Sequence, residues 1–114
     1  MAQNDAIVID VTIANSGTTS TALTLPESYY LAGIIKDTTL DTSIAVTFTV
    51  SMDNVTYSPL YDTAGVAVSY TVQAATAEAI TIPPTVFYPW KYIKFVVADA
   101  QTGISTIQCV LRQY

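Results

Sequence analysis

Between Ile44 and Met52 the chain alternates strictly: Ile44, Val46, Phe48, Val50 and Met52 are apolar, and Ala45, Thr47, Thr49 and Ser51 are small or polar. A period of two puts one face on a core and the other in water, so the stretch reads as a half-buried antiparallel strand with those five large side chains inside. Asp53-Asn54 follows, a pair that tolerates the left-handed backbone of a two-residue hairpin turn, and Val55-Thr56-Tyr57 reads as the return. Pro59 has no amide donor, which confines the returning segment to a short or edge strand.

The same reading extends along the chain. Ile7, Ile9, Val11 and Ile13 define a first strand that ends at Asn15-Ser16-Gly17, with Ser20 to Leu25 as its expected partner. Tyr29 to Ile35 is apolar without a clean period, as in a strand buried on both faces, and Gly33 marks a bulge. After a turn at Asp62-Thr63-Ala64-Gly65, Val66, Val68, Tyr70 and Val72 alternate with small residues. Ala79 to Ile82 makes a short strand stopped by Pro83-Pro84. Thr85 to Trp90 is an aromatic loop, and Tyr92 to Ala98 and Ile104 to Arg112 supply the last two strands. About eight strands with no helical period predict an all-β, two-sheet antiparallel sandwich, a jelly roll, over residues 1–114 as one domain. An immunoglobulin-like sandwich is the alternative, weakened by the lack of a Cys-Trp-Cys framework. Residues 1–6 are polar and patternless, as in a flexible or partner-bound arm.

Composition narrows the function. Nine acidic residues against four basic ones give a net charge of −5, and charged residues are only 11% of the chain. Phosphate neutralisation needs clustered Lys and Arg, so nucleic acid is not an expected partner. No stretch approaches the ~20 apolar residues of a membrane span, and no secretory segment is evident, so a soluble protein made in a cytoplasm is expected. For the same reason, the acceptor pattern Asn54-Val55-Thr56 reads as accidental. Cys109 alternates with Ile107 and Leu111 and reads as a small buried hydrophobe.

Histidine is absent, so a Ser-His-Asp triad cannot form and the single cysteine has no imidazole to activate it. No phosphate-cradling glycine motif or zinc-ligand set occurs. The acids Asp37, Asp41, Asp53, Asp62 and Glu78 fall in expected loops, where turn formation is their ordinary role, although carboxylate-pair catalysis or a loop-held calcium ion could use them. The expectation is no enzyme, no cofactor and no metal. Aromatic residues carry more information. Tyr29, Tyr30, Phe87, Tyr88 and Trp90 lie near turns and prolines, where such side chains anchor protein interfaces or stack on sugars, and the competing reading is that Phe87 and Trp90 plug one sandwich end. Tyr57, Tyr61 and Tyr70 are expected to pack with their hydroxyls at the rim.

The run FTVSMDNVTYSPLYD, followed by AITIPPTVFYPWKYIKFVV, resembles jelly-roll modules of tailed-phage virion proteins, whose pattern is F-x-V-S-x-D-G-x-T-W-x-x-L-Y-D, then I-x-L-P-P-x-x-F and R-Y-I-R. That pattern is itself similar to discoidin-like, galactose-binding-type domains. Phe48, Val50, Ser51, Asp53, Thr56, Leu60, Tyr61 and Asp62 match, as do Ile80, Ile82, Pro83, Pro84, Phe87, Tyr92 and Ile93. Asn54 stands for Gly, Tyr57 for Trp, and Lys91 and Lys94 for Arg. The lysines lose bidentate carboxylate recognition and put a transferred ligand site in question. The resemblance implies a capsid decoration or cement protein on the outer surface of a phage head, bound to the major capsid protein as a homo-oligomer such as a trimer. Tyr29, Tyr30, Tyr88 and Trp90 are its candidate interface residues. A carbohydrate-binding module of a fibre or tail is the alternative.

Overall fold

A computed structural model describes residues 6–36, 44–72, 77–83, 85–87, 90–98, 101 and 103–113. Among them are the strands β1 (Ile7–Ile13), β2 (Leu23–Thr24), β3 (Tyr29–Lys36), β4 (Ile44–Ser51), β5 (Ser58–Pro59), β6 (Tyr70–Val72), β7 (Glu78–Thr81), β8 (Tyr92–Val97) and β9 (Ser105–Gln113). One sheet has the order β1-β9-β3-β7; the other has the order β2-β8-β4-β5, with β6 also on β4.

The pairings describe a two-stranded ribbon closed by the turn after β4. Its rungs are β4 with β5 and β6, β3 with β7, β2 with β8, and β1 with β9, all antiparallel. Rolling this ribbon adds two pairings, β9 on β3 and β8 on β4, and closes the sandwich. β5 and β6 occupy successive stretches of one edge of β4, opposite Thr49–Val50 and Ile44–Val46, so they are two halves of one interrupted strand. Counted that way the architecture is an eight-stranded jelly roll. The first and last strands pair antiparallel in one sheet, whereas the constant-type immunoglobulin sandwich places them in different sheets.

Alternation fills the core as expected. Val46, Phe48, Val50, Ile93, Phe95 and Val97 face Val11, Ile13, Leu31, Ile34, Ile107, Cys109 and Leu111. The Phe48 ring makes edge contacts with Phe87, Phe95 and Tyr70 at centroid distances of 4.9, 5.2 and 5.9 Å. Phe87 thus plugs the core, and Trp90 packs against it half-buried. Burial pushes the Cys109 thiol up to about 12, with Asp10 adding to the shift, as suits an inert core residue.

Several local expectations are corrected. Met52 is 59% exposed, because β4 ends at Ser51 and the chain bends away before the next inward position. The return strand begins at Ser58, opposite Val50, so the turn spans residues 52–57 instead of two residues. Pro59 does lie on a two-residue edge strand. Ser20 to Leu25 belongs mainly to β8: Leu23 and Thr24 pair there, and the Ser20 hydroxyl accepts the Phe95 N–H at 2.9 Å. β1 keeps one bridge to this segment, Ile13 to Ser20, and otherwise pairs with β9. In β3 the irregular apolar pattern reflects a register shift between Leu31 and Gly33, not burial on both faces. The shift turns Leu31 and Ile34 inward and leaves Ile35 exposed. Only Tyr70–Val72 of the Val66–Val72 run is strand, and Val66 is exposed. Glu78 lies on β7 rather than in a loop.

Phe48→Ala should lower unfolding free energy by about 3–5 kcal/mol, since it removes the ring on which three others rest. Met52→Ala should stay within ~0.5 kcal/mol. Urea denaturation of both variants checks the pair, and a large loss at Met52 would contradict the bend. Cys109 should resist thiol reagents at neutral pH until denaturant is added.

Candidate interaction surface

Two turns project from the β4 edge, and each is held by one carboxylate. In the first, the buried Ser51 hydroxyl accepts the N–H groups of Asp53 and Asn54 at 3.1 and 2.9 Å and donates to Asp53 Oδ1 at 2.9 Å. Asp53 Oδ1 also accepts the N–H groups of Val55 and Thr56 at 2.9 and 3.0 Å. Asn54 takes the left-handed conformation expected of it, with φ of 60°. The Tyr57 hydroxyl donates to the Asn54 side chain, and Lys94 Nζ sits 4.4 Å from the centre of the Tyr57 ring. Hydrogen bonds from the N–H groups of Thr56 and Val55 and from the Ser51 hydroxyl hold the Asp53 carboxyl below its ordinary value of 3.8. Burial, helped by the charges of Tyr92 and Asp53, raises the Tyr57 phenol.

The second turn interrupts the strand formed by β5 and β6. Leu60 N–H donates to Phe48 O at 3.0 Å, Val68 N–H returns to Leu60 O at 3.1 Å, and a Tyr61–Ala67 bridge closes a small hairpin. Asp62 Oδ1 accepts the N–H groups of Ala64 and Val66 at 2.8 and 3.0 Å. Gly65 supplies the positive φ of 79° with open space around it. Both carboxylates thus have backbone work to do, the structural role expected of loop acids.

These turns carry exposed apolar side chains. Met52, Val55, Tyr61 and Val66 are all more than half exposed, and Val55 reaches 81%. Tyr61 therefore does not pack at the rim as expected, whereas Tyr57 and Tyr70 are half-buried. Beside the hairpin, Leu60, Tyr61, Asp62, Val68, Val86 and Trp90 line a groove of roughly 560 Å³. The sequence-predicted interface residues separate in space. Trp90 lines this groove, Tyr29 packs against the core, and Tyr30 lies opposite Arg112 on the outward-facing register of the four-stranded sheet. Tyr88 lies outside the described residues, as do Asp37, Asp41 and residues 1–5 of the expected arm.

Sequence reasoning missed Lys36, which is fully buried at the end of β3 with Nζ 3.8 Å from Glu78 Oε1. Its signal was present, since Lys36 follows Ile34 at the inward spacing of two, but it was hidden until the bulge fixed which face Ile34 takes. Among the described residues no group of three His, Cys, Asp or Glu side chains is placed to hold a metal ion.

No protein-family model matches the chain, and no curated protein matches its sequence. A solved structure does share the fold. The SPBc2 prophage-derived protein YomS superposes with a TM-score of 0.52 at 12% identity over 99% of each chain. A cyanophage Pam1 capsid structure gives 0.39 at 18% identity over 96% of this chain and 85% of that one. A CBM4 structure gives 0.39 at 13% identity over 94% and 84%. At these identities the first likeness establishes a shared fold from end to end, and the other two do not extend it.

The depressed Asp53 carboxyl gives a pH dependence of definite sign. Its contribution to stability is complete above the unfolded value near 3.8 and is lost as pH falls through the lower folded value. Asp53→Asn should therefore melt below the parent protein above about pH 5, with the gap closing as the solution is acidified. A melting series across that range reads it directly.

Proposed function

We propose that the chain is a structural protein of a tailed-phage virion, a decoration protein that docks on the outer surface of the major capsid protein. The observation that carries this reading is the exposure of Tyr61 and Val66 on a pre-organised hairpin whose base lines the Trp90 groove, with Met52 and Val55 exposed on the other pre-organised turn. Exposed apolar side chains on loops that need no further ordering bind at low entropic cost, and contiguous patches of this kind mark interaction sites. Repetition on a symmetric shell multiplies modest single-site affinity. The end-to-end fold shared with a prophage-derived protein and the phage-type motif from Phe48 to Ile93 support the same reading. Residues 1–6 and a trimeric arrangement remain part of it as the arm and assembly that would engage neighbouring capsomers.

A second reading is favoured by the groove itself. Trp90 and Tyr61 offer aromatic faces, with Asp62, Thr63 and Thr85 at the rim, a combination suited to a sugar ring.

Co-sedimentation with purified heads separates the two readings. The protein should pellet with heads, and Tyr61→Ala combined with Val66→Asp should weaken binding by roughly a hundredfold while leaving the melt nearly unchanged. Protein that stays in the supernatant, together with glycan binding that disappears in Trp90→Ala, would replace the capsid reading with the carbohydrate one.

A further inference from the structure

An edge strand presents backbone N–H groups and carbonyls that take up another strand unless something blunts it. Three of the four edges among the described strands are blunted. β2 is two residues long and is followed by Pro26, and β5 is two residues long and contains Pro59, with the three residues of β6 beyond it. β7 is four residues long, begins at the charged Glu78 and runs into Pro83. β1 differs: it has seven residues, no proline and no lysine, and it opens with Ile7-Val8-Ile9. Thr21 N–H donates to Thr12 O at 2.9 Å, and Thr12 N–H donates to Thr21 Oγ1 at 3.2 Å, so the Thr12 backbone faces the edge, away from β9. Backbone direction alternates along a strand, which turns Val8 and Asp10 to the same side. Ser20 and Thr21 cover this edge at Ile13 and Thr12, and among the described residues no strand covers it from Ala6 to Asp10. Along that open part Val8 is 53% exposed, and Ile7 and Ile9 are only partly buried.

We infer that this edge pairs with the same edge of a second copy, β1 against β1, antiparallel about a two-fold axis at Val8. Two features select that register. Thr21 blocks the edge at Thr12, so an incoming strand can run only along residues 6–10, and an axis at Val8 lets both copies use that whole stretch. Asp10 then lies opposite Ala6 of the second copy, whereas an axis at Asp10 would set two carboxylates against each other. Val8 meets Val8 on the outward face of the sheet. On the inward face Ile7 meets Ile9 of the second copy, so side chains that are half-buried in one copy cover one another. The ladder gains two hydrogen bonds at the Val8 pair and two at each of the two Ala6–Asp10 pairs. Both four-stranded sheets join into one continuous sheet, and because the contact is isologous, growth stops at two copies. A ladder of about five residues, each rising ~3.3 Å, makes a contact below standard interface size. It belongs to the weak, reversible class of strand addition, in which main-chain hydrogen bonds carry the affinity, with a Kd between about 10 µM and 1 mM. The dimer is independent of the capsid reading, since the turns of that reading stand on the other sheet, and it differs in mass from the trimer considered there.

Sedimentation equilibrium of the full chain from about 10 µM to 1 mM spans that range. The expected result is a reversible, concentration-dependent rise from the 12.2 kDa chain mass towards twice that value. Val8→Pro removes an N–H that faces the edge and spares the β1–β9 ladder, which Ile7 and Ile9 make, so the variant should fold and dimerise at least roughly tenfold more weakly. Val8→Lys, which opposes two cations on the axis, should do the same. Ile82 N–H donates to Ala32 O, which turns Ala79 to the outer edge of β7, and Ala79→Pro should leave association unchanged. Amide exchange of the parent protein followed by NMR needs no variant. Protection at Ala6, Val8 and Asp10 should rise with protein concentration, and protection at Ala79 and Thr81 should not. A monomer at 1 mM, a trimer, open-ended growth, association indifferent to the folded Val8 variants, or protection gained along β7 instead would each overturn the inference. Head binding does not enter either measurement, so failure of this dimer and failure of the capsid reading are read separately.

Discussion

The contact between Phe48 and Phe95 is the constraint on which the rest of the molecule depends. The ribbon rungs could all form in an open, unrolled hairpin, leaving one apolar face in water. Pairing β8 onto β4 sets these two rings opposite each other, and Phe87 and Tyr70 then close around Phe48 from the loop after β7 and from β6. Three other segments converge on this one side chain, so rolling the ribbon and filling the core are the same event. The companion pairing of β9 onto β3 completes the closure on the other sheet.

Much of this was legible in the chain. The alternation in Ile44–Val50, Tyr92–Val97 and Ile7–Ile13 carries its own period, and the three strands stand where the pattern puts them. Turn chemistry was equally readable at Asn54, Gly65 and Pro59, because each solves a purely local backbone problem. What could not be read depends on where a register slips or a strand is interrupted. The bulge in β3 reverses the expected orientation of every residue beyond it, which conceals both the burial of Lys36 and the exposure of Ile35. The hairpin at residues 60–68 sits where the sequence still alternates, so Val66 looked like a core residue until pairing showed that β6 resumes only at Tyr70.

The candidate surfaces were legible to a different degree. Trp90 was visible as an aromatic residue near prolines, and it does line a groove. Tyr61 was misread because it alternates with polar neighbours, although it belongs to the excursion and not to the sheet. The row Val8–Val110–Gly33 on the outward face of the four-stranded sheet could not have been found from any single segment. Val8, Val110 and Gly33 come from opposite ends and the middle of the chain, and only the β1-β9-β3 order aligns them.

The interrupted strand has a consequence for how such a protein changes over time. Leu60 and Val68 hold the base of the excursion against the core, and β6 resumes on the same edge of β4 beyond the stretch that β5 occupies. Residues 61–67 can therefore gain, lose or exchange side chains without moving a core strand, as the closure cost of a surface loop rises only slowly with its length. Selection can rewrite this tip to follow a drifting target while the rolled scaffold behind it stays the same.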